Sequence, residues 1–447
     1  MDASSTHGAP QPDSPLFHDG YPFDVATWLP PARDVAATPA QRANHQRYTR
    51  VGDPAADAVA AMVRRLPHGR WLFELAVEHG IDAVPDAPEE LVAFFAEVDT
   101  EPFWHDRAQL DLACRVIART GVIAGFTSLA MLSLMGGYQA WRIVKPLRNG
   151  DLDRMAARRI AETTAWLDDI TTPGGLERFA AGTKSTLRIR LIHALVRAGM
   201  TRRPDWNDQW HHPLNESQVA GTLTAFWLGT LIGPQALGMQ FTAREADAVA
   251  HLWRTVGRLL GISPNLLPTN SRDHARMLSM QGELEFGRPD QDSIHMARAL
   301  ATAIGPAVIG EGTDLISRTS RAAVTGFMAA YARKVLGQAN ADILGLDDSP
   351  TFQITVTAVA TGIRALEYPR RLLPAVTRWQ ERHGHRTRTA LTQRLIRLHH
   401  ADRSYARHHG APPTMPAGRN TAGQAPPVSA HPTTGGPGTT RAIQQVS

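Results

Sequence analysis

Two long stretches without a charged side chain constrain this protein most. Thr120 to Trp141 lie uncharged between Arg119 and Arg142, and Ser217 to Ala243 lie uncharged between Glu216 and Arg244. Each is long enough to span a bilayer. Neither has the composition of a span: the first carries Gly121, Gly125, Gly136, Gly137 and Gln139, the second Gln218, Pro234, Gln235 and Gln240. Amide side chains in hydrocarbon would need partners that lipid does not provide. Both stretches are therefore expected inside a folded domain, as core or cavity-lining helices. A chain of 447 residues with 43% hydrophobic content is large enough to cover them.

The rest of the chain also reads as helix. Aromatic residues make up only 6%, and Ala, Leu and Arg, which lose little rotamer freedom in a helix, are abundant. Helical spacing of apolar residues marks Ala55–Leu66, Ala108–Val144, Leu152–Ile170, Ser185–Ala198, Asp290–Ile304, Ala322–Leu336, Ile354–Leu366 and Leu373–Ala406. Asn215-x-x-Gln218 and Thr242-x-x-Glu245 read as capping boxes, the second opening a helix that ends near Gly261. No run of strands or internal repeat is visible. The expected architecture is one all-α domain over residues 46–410, with a loosely ordered arm at 1–45 and a disordered Pro/Gly-rich tail at 411–447.

Composition removes several kinds of chemistry. With Cys114 as the single cysteine, no intramolecular disulfide and no cysteine-based zinc or iron–sulfur site can form. No phosphate-binding glycine loop, hydrolase elbow or zincin helix motif occurs. The first twenty residues hold Asp2, Asp13 and Asp19 and no apolar run, so a cytoplasmic location is the expectation.

Two helices carry the groups that remain. Arg159, Glu162 and Thr163 stand at i, i+3 and i+4, so they share one helix face, with Trp166 a turn further on. By spacing alone they read first as an exposed Arg–Glu pair on a solvated face. The second helix sets His193 among Ile192, Ala194, Leu195 and Val196, with Arg190 and Arg197 at i−3 and i+4. As a lone residue His193 reads as a core histidine; a neutral imidazole on an apolar helix also suits a haem iron.

The blocks Arg159-x-x-Glu162-Thr163, Arg190-Leu-Ile-His193-Ala-Leu-Val-Arg197, His212-Pro-Leu-Asn-Glu-Ser-Gln218 and Trp253-Arg-Thr-Val-Gly257-x-x-Leu-Gly261 resemble, in order and spacing, the rubber oxygenase (latex clearing protein) and MpaB-type oxygenase catalytic domain. The similarity spans roughly residues 100 to 370. It implies a globin-like helical core and a b-type haem with His193 as proximal ligand. Arg159 and Thr163 would sit beside the haem, and Arg190 and Arg197 would be within reach of its propionates. Rubber oxygenases tend to carry a lysine where this chain has Glu162. That departure, with the missing secretion signal, points to the broader MpaB-like group. The implied activity is oxidation of a hydrophobic, isoprenoid-like substrate by dioxygen, with C=C cleavage as the family precedent. Glu162, if buried, would have a raised pKa and could carry a proton. Phe126–Met135 and Phe226–Leu237 would line the substrate cavity. A non-catalytic haem sensor and a haem-free, membrane-peripheral interaction protein are the alternatives, and oligomeric state is undetermined.

Other histidines read as structural: His211 and His212 as turn residues, His251 as a packing or surface residue. From Arg370 to Arg407 ten arginines face only Glu381 and Asp402. This segment reads first as a solvated basic helix, then as a contact for an anionic membrane, and last for nucleic acid.

Overall fold

The computed structural model describes residues 14–146, 152–287 and 289–401. The tail at 411–447, and Arg403 and Arg407 of the basic segment, lie outside the described residues. The helices are α1 (Pro39–Arg47), α2 (Pro54–Arg65), α3 (Gly69–His79), α4 (Glu89–Asp99), α5 (Arg107–Arg119), α6 (Leu152–Ile170), α7 (Ala181–Met200), α8 (Glu216–Trp227), α9 (Ala243–Leu259), α10 (Ser271–Glu285), α11 (Gln291–Ile309), α12 (Leu315–Leu336), α13 (Gln338–Ile343), α14 (Pro350–Leu372) and α15 (Pro374–Leu398). An isolated bridge between His18 and Tyr21 is all the β pairing among the described residues. The fold is all-α.

The uncharged stretches are core, but not the straight helices expected. Helix α5 stops at Arg119, and the chain bends by 100° before running on through Gly121–Gly137. Gly121 makes the corner at φ +60°, a conformation that strains any residue with a Cβ. Beyond it the backbone winds in wide π turns at Gly121–Phe126 and Leu129–Leu134, and the second stretch does the same at Leu228–Ile232. The two stretches cross at Gly229, where a Cβ would lie 2.1 Å from Ser133 Oγ. Ser133 Oγ itself donates to Ala225 O at 2.5 Å, which ties the crossing together. No single helix among the described residues is long and apolar enough to cross a membrane.

The N-terminal arm needs correction from residue 14 onward. Tyr21, Phe23, Val25 and Val35 are buried in the main core. Asn340 Nδ2 donates to the carbonyls of Leu16 and Pro22 at 3.1 and 3.3 Å. Before α1 the segment shows no helical period because it is built of short turns closed by their own backbone hydrogen bonds, such as Trp28 N–H to Val25 O and Asp34 N–H to Pro31 O, and Asn340 adds the two long-range ones.

Helix α7 separates two apolar bodies. Leu187, Leu191 and Ala194 face a smaller cluster built with α2, α3 and α4, where Phe73, Phe94 and Phe95 stack edge to face. Ile189, Ile192, His193 and Val196 face the other way, into a cavity of the main body. The helical period alone assigns these two sets to opposite sides.

Candidate functional site

The cavity has a volume of about 620 Å³, within the range of small-molecule and cofactor sites. Both uncharged stretches line it, through Phe126, Leu129 and Leu134 and through Phe226 and Leu228. An aromatic cluster closes one side. Trp166 meets Phe226 edge to face at 5.1 Å, and Phe226 stacks on Trp253 at 5.3 Å. Both indole N–H groups are occupied: Trp166 donates to Thr186 Oγ1 at 2.9 Å and Trp253 to Thr230 Oγ1 at 2.8 Å.

Arg159, Glu162, Thr163 and His193 all line this one cavity. The shared face expected for α6 is therefore turned inward and not to solvent. Glu162 is buried, and its ion-pair partner is Arg158, whose Nε donates to Oε1 at 2.8 Å. Tyr138 joins the same wall. Burial pushes its phenol pKa upward, and the charge of Arg159 works against that rise.

His193 differs from the other interior histidines in what its nitrogens do. His45 bonds Ser217 Oγ at 2.9 Å, His274 bonds Thr224 Oγ1 at 3.2 Å, and His251 Nε2 accepts from the Asp106 N–H at 3.1 Å. His251 is thus a packing residue. Neither ring nitrogen of His193 has a protein partner among the described residues, and the ring surface that is not covered faces the cavity. Burial, reinforced by Arg197 and Arg159 and opposed by Asp53, lowers its pKa to about 4, so the imidazole is neutral at physiological pH.

Neutral interior histidines make stability pH-dependent in a definite direction. His45 and His193 titrate near 4 and His274 near 3, each lowered chiefly by burial from an unfolded value near 6.5. Below 6.5 the unfolded chain takes up protons that the native chain refuses. Their contribution is therefore full above pH 6.5 and falls away as pH drops toward 4. Denaturant midpoints from pH 7.5 to 4.5 should decline at up to about 1.4 kcal/mol per pH unit for each such histidine. A flat profile from 6.5 to 4.5 would contradict this account.

Neither Arg190 nor Arg197 lines the large cavity; both border a small crevice that shares His193, Leu214, Val219 and Leu260 with it. Arg190 donates to Asp53 at 2.6 and 3.0 Å and reaches Glu97 at 3.0 Å. Burial disfavours its charge, but Asp53 and Glu97 outweigh that and hold its pKa above the ordinary value. Arg197 pairs with Asp57 at 2.8 Å and donates to Leu214 O at 2.8 Å. Their carboxylate partners Asp53, Asp57 and Glu97 lie on or beside other helices far earlier in the sequence, so spacing on α7 could not reveal them. Gly261, at φ +80°, leaves the room that the Arg190–Asp53 pair occupies: a Cβ there would lie 2.3 Å from Asp53 Oδ2.

Two further residues enter the cavity wall from places the sequence assigned elsewhere. Arg388, counted among the solvated basic residues, turns inward, and its Nη2 donates to Thr171 Oγ1 at 2.5 Å. Gln218 forms only half of the expected capping box. Asn215 accepts from the Gln218 backbone N–H at 3.0 Å, but the Gln218 amide makes no hydrogen bond and sits in the cavity wall. The Thr242–Glu245 box is complete in both directions. His211 and His212 occupy a turn, His211 at φ +63° and His212 donating its N–H to Thr49 O at 3.1 Å.

The fold is thus a helical protein wrapped around an apolar cavity, with an unpartnered imidazole and an arginine–carboxylate–hydroxyl face on its walls. Residues 113–365 match the family model described as ER-bound oxygenase mpaB/B'/Rubber oxygenase, catalytic domain. The chain belongs to this oxygenase family. It is similar to the rubber oxygenase of Streptomyces sp. (strain K30), at 22% identity over 272 residues, covering 60% of this chain and 63% of that relative. The alignment thus spans less than two thirds of the relative's length. A solved structure of latex clearing protein LCP in the closed state shares the fold. Its TM-score is 0.55 at 19% identity, covering 76% of this chain and 90% of that one.

Proposed function

We propose that this protein is a haem b-dependent oxygenase acting on a hydrophobic, isoprenoid-like substrate, and that His193 would hold the haem iron. One observation carries the reading: a neutral imidazole without a hydrogen-bond partner on the wall of an apolar cavity of about 620 Å³. Neither nitrogen is committed to the protein, so one is available to a ligand that enters the cavity. Among the described residues no three His, Cys, Asp or Glu side chains cluster to hold a bare ion. A metal on His193 would need its remaining ligands from a macrocycle, which a cavity of this size accommodates.

Haem, when bound, supplies the redox centre for dioxygen chemistry. The chain's own residues supply the rest. Arg159 presents a guanidinium to the cavity and donates hydrogen bonds to negative charge developing on reacting oxygen atoms, strongest where water is excluded. Thr163, one residue beyond Glu162 on that face, orients an oxygen atom or a water through its hydroxyl. Glu162, held by Arg158, is the carboxylate placed to take and return a proton. The aromatic cluster and the leucines of the two uncharged stretches bind and desolvate an apolar chain. The reaction that fits is cleavage of a C=C bond by one dioxygen, each carbon gaining one oxygen atom to give two carbonyls.

The test is the absorption spectrum of the full-length protein purified from haem-replete cells, followed by incubation with a panel of isoprenoid alkenes under dioxygen. A Soret band and carbonyl products support the proposal. A colourless protein that stays colourless with added haemin sinks it. A Soret band with no product from any alkene would favour a haem sensor.

A further inference from the structure

Helix α14 carries two stripes, and only one is used by the fold. Its inner face holds Val356, Glu367 and Arg370, all buried. Glu367 Oε2 accepts from Arg370 Nε at 2.9 Å and from the Gln240 N–H at 3.1 Å, and Arg370 Nη2 donates to Gln240 O at 3.1 Å. The opposite face runs Ile354, Ala358, Thr361, Ala365, Tyr368, Leu372, at helical spacing and all exposed. Tyr368 is 73% and Leu372 66% exposed, and the stripe continues round the α14–α15 elbow through Leu373 and Trp379 at 52% and 56%. Solvent-facing leucines, a tyrosine and a tryptophan at one elbow form a patch of the kind that marks a binding surface.

Charge identifies the partner. Arg364, Arg371, Arg378, Arg382, Arg386, Arg394 and Arg397 are all exposed on α14 and α15. The acidic residues between Pro350 and Ala401 are Glu367, which is buried, and Glu381. We infer that the α14–α15 elbow docks on an anionic lipid bilayer, Leu372, Leu373, Tyr368 and Trp379 entering the interface while the flanking arginines contact lipid phosphates. A second copy of the chain would bring the same arginines against each other. A nucleic acid would leave the leucines unused. The cavity-lining residues of α15, Arg388, Leu391 and Thr392, lie on the face of that helix turned away from Trp379, so docking leaves the cavity wall undisturbed. This docking does not depend on the haem reading.

Flotation of the full-length protein with vesicles tests it, using phosphatidylcholine alone against an equimolar mixture with phosphatidylglycerol. Binding should favour the anionic vesicles strongly and weaken as salt rises from about 0.1 M to about 1 M. Arg371→Glu with Arg378→Glu should lower partition by more than tenfold, since each arginine near such a surface is worth about fivefold. Leu372→Asp with Leu373→Asp should lower it at least tenfold with the far-ultraviolet circular dichroism unchanged, because both side chains face solvent. Equal binding to neutral vesicles, no binding to either, or binding that survives the leucine changes and is competed by duplex DNA would each overturn the inference. So would sedimentation showing a dimer that the leucine changes dissolve.

Discussion

Alanine in place of His193 is expected to abolish the Soret band of the haem-loaded protein while leaving the fold intact. The imidazole spends neither nitrogen on the protein and borders open cavity, so its removal exposes no buried partner. The stability of the haem-free protein should change by less than about 1 kcal/mol. Cofactor affinity should drop far more. Losing a residue that merely orients a metal ligand costs about 10–100-fold, and loss of the ligand itself should exceed that. His45→Ala provides the contrast: it strips partners from Ser217 and Gln281, so it should cost about 1–3 kcal/mol of stability and leave the spectrum unchanged. Titration of both variants with haemin, beside their thermal midpoints, separates a ligand from a core histidine. An unaltered Soret band in His193→Ala would move the ligand elsewhere.

Asp53→Ala should be the most destabilising single change near the site. It leaves the buried Arg190 guanidinium, packed over the Phe94 ring at 4.6 Å, with only the half-exposed Glu97. Breaking a buried pair from one side costs about 3–5 kcal/mol. Asp53 also caps α2 by accepting from the Ala56 N–H at 3.1 Å, so roughly 1 kcal/mol more is at stake. Since Arg190 lies on α7 three residues before His193, haem affinity should weaken as well. Asp53→Asn, which keeps the cap acceptor but not the charge, should fall between. Gly261→Ala should reproduce much of the loss by driving a methyl group into the same pair. A urea midpoint for Asp53→Ala equivalent to less than about 1 kcal/mol of destabilisation would show that Asp53 does not hold α7 in place.

Much of this was written locally. Leu152–Ile170 agrees residue for residue with α6, because an amphipathic period and flanking turns are properties of neighbouring residues. The Thr242–Glu245 box was legible for the same reason. Helices α3, α4 and α10 were not marked; length is not the reason, since α10 has 15 residues and the marked α2 has 12. The π turns of the uncharged stretches could not be read, because their side chains suit an ordinary helix equally well.

The site divides along the same line. Sequence alone placed His193 on an apolar helix, put Arg159, Glu162 and Thr163 on one face of another, and marked both uncharged stretches as interior. Those are statements about periodicity and polarity, which a single segment contains. Only the tertiary structure decided that the α6 face turns inward, that Glu162 pairs with Arg158, and that Arg190 and Arg197 are held by Asp53 and Asp57. It also decided that Gln218 and Arg388 reach the cavity wall while the outer stripe of α14 stays bare. Each of these depends on which distant group arrives beside a side chain, and burial and ion pairing are set by those arrivals and not by the order of residues along one helix.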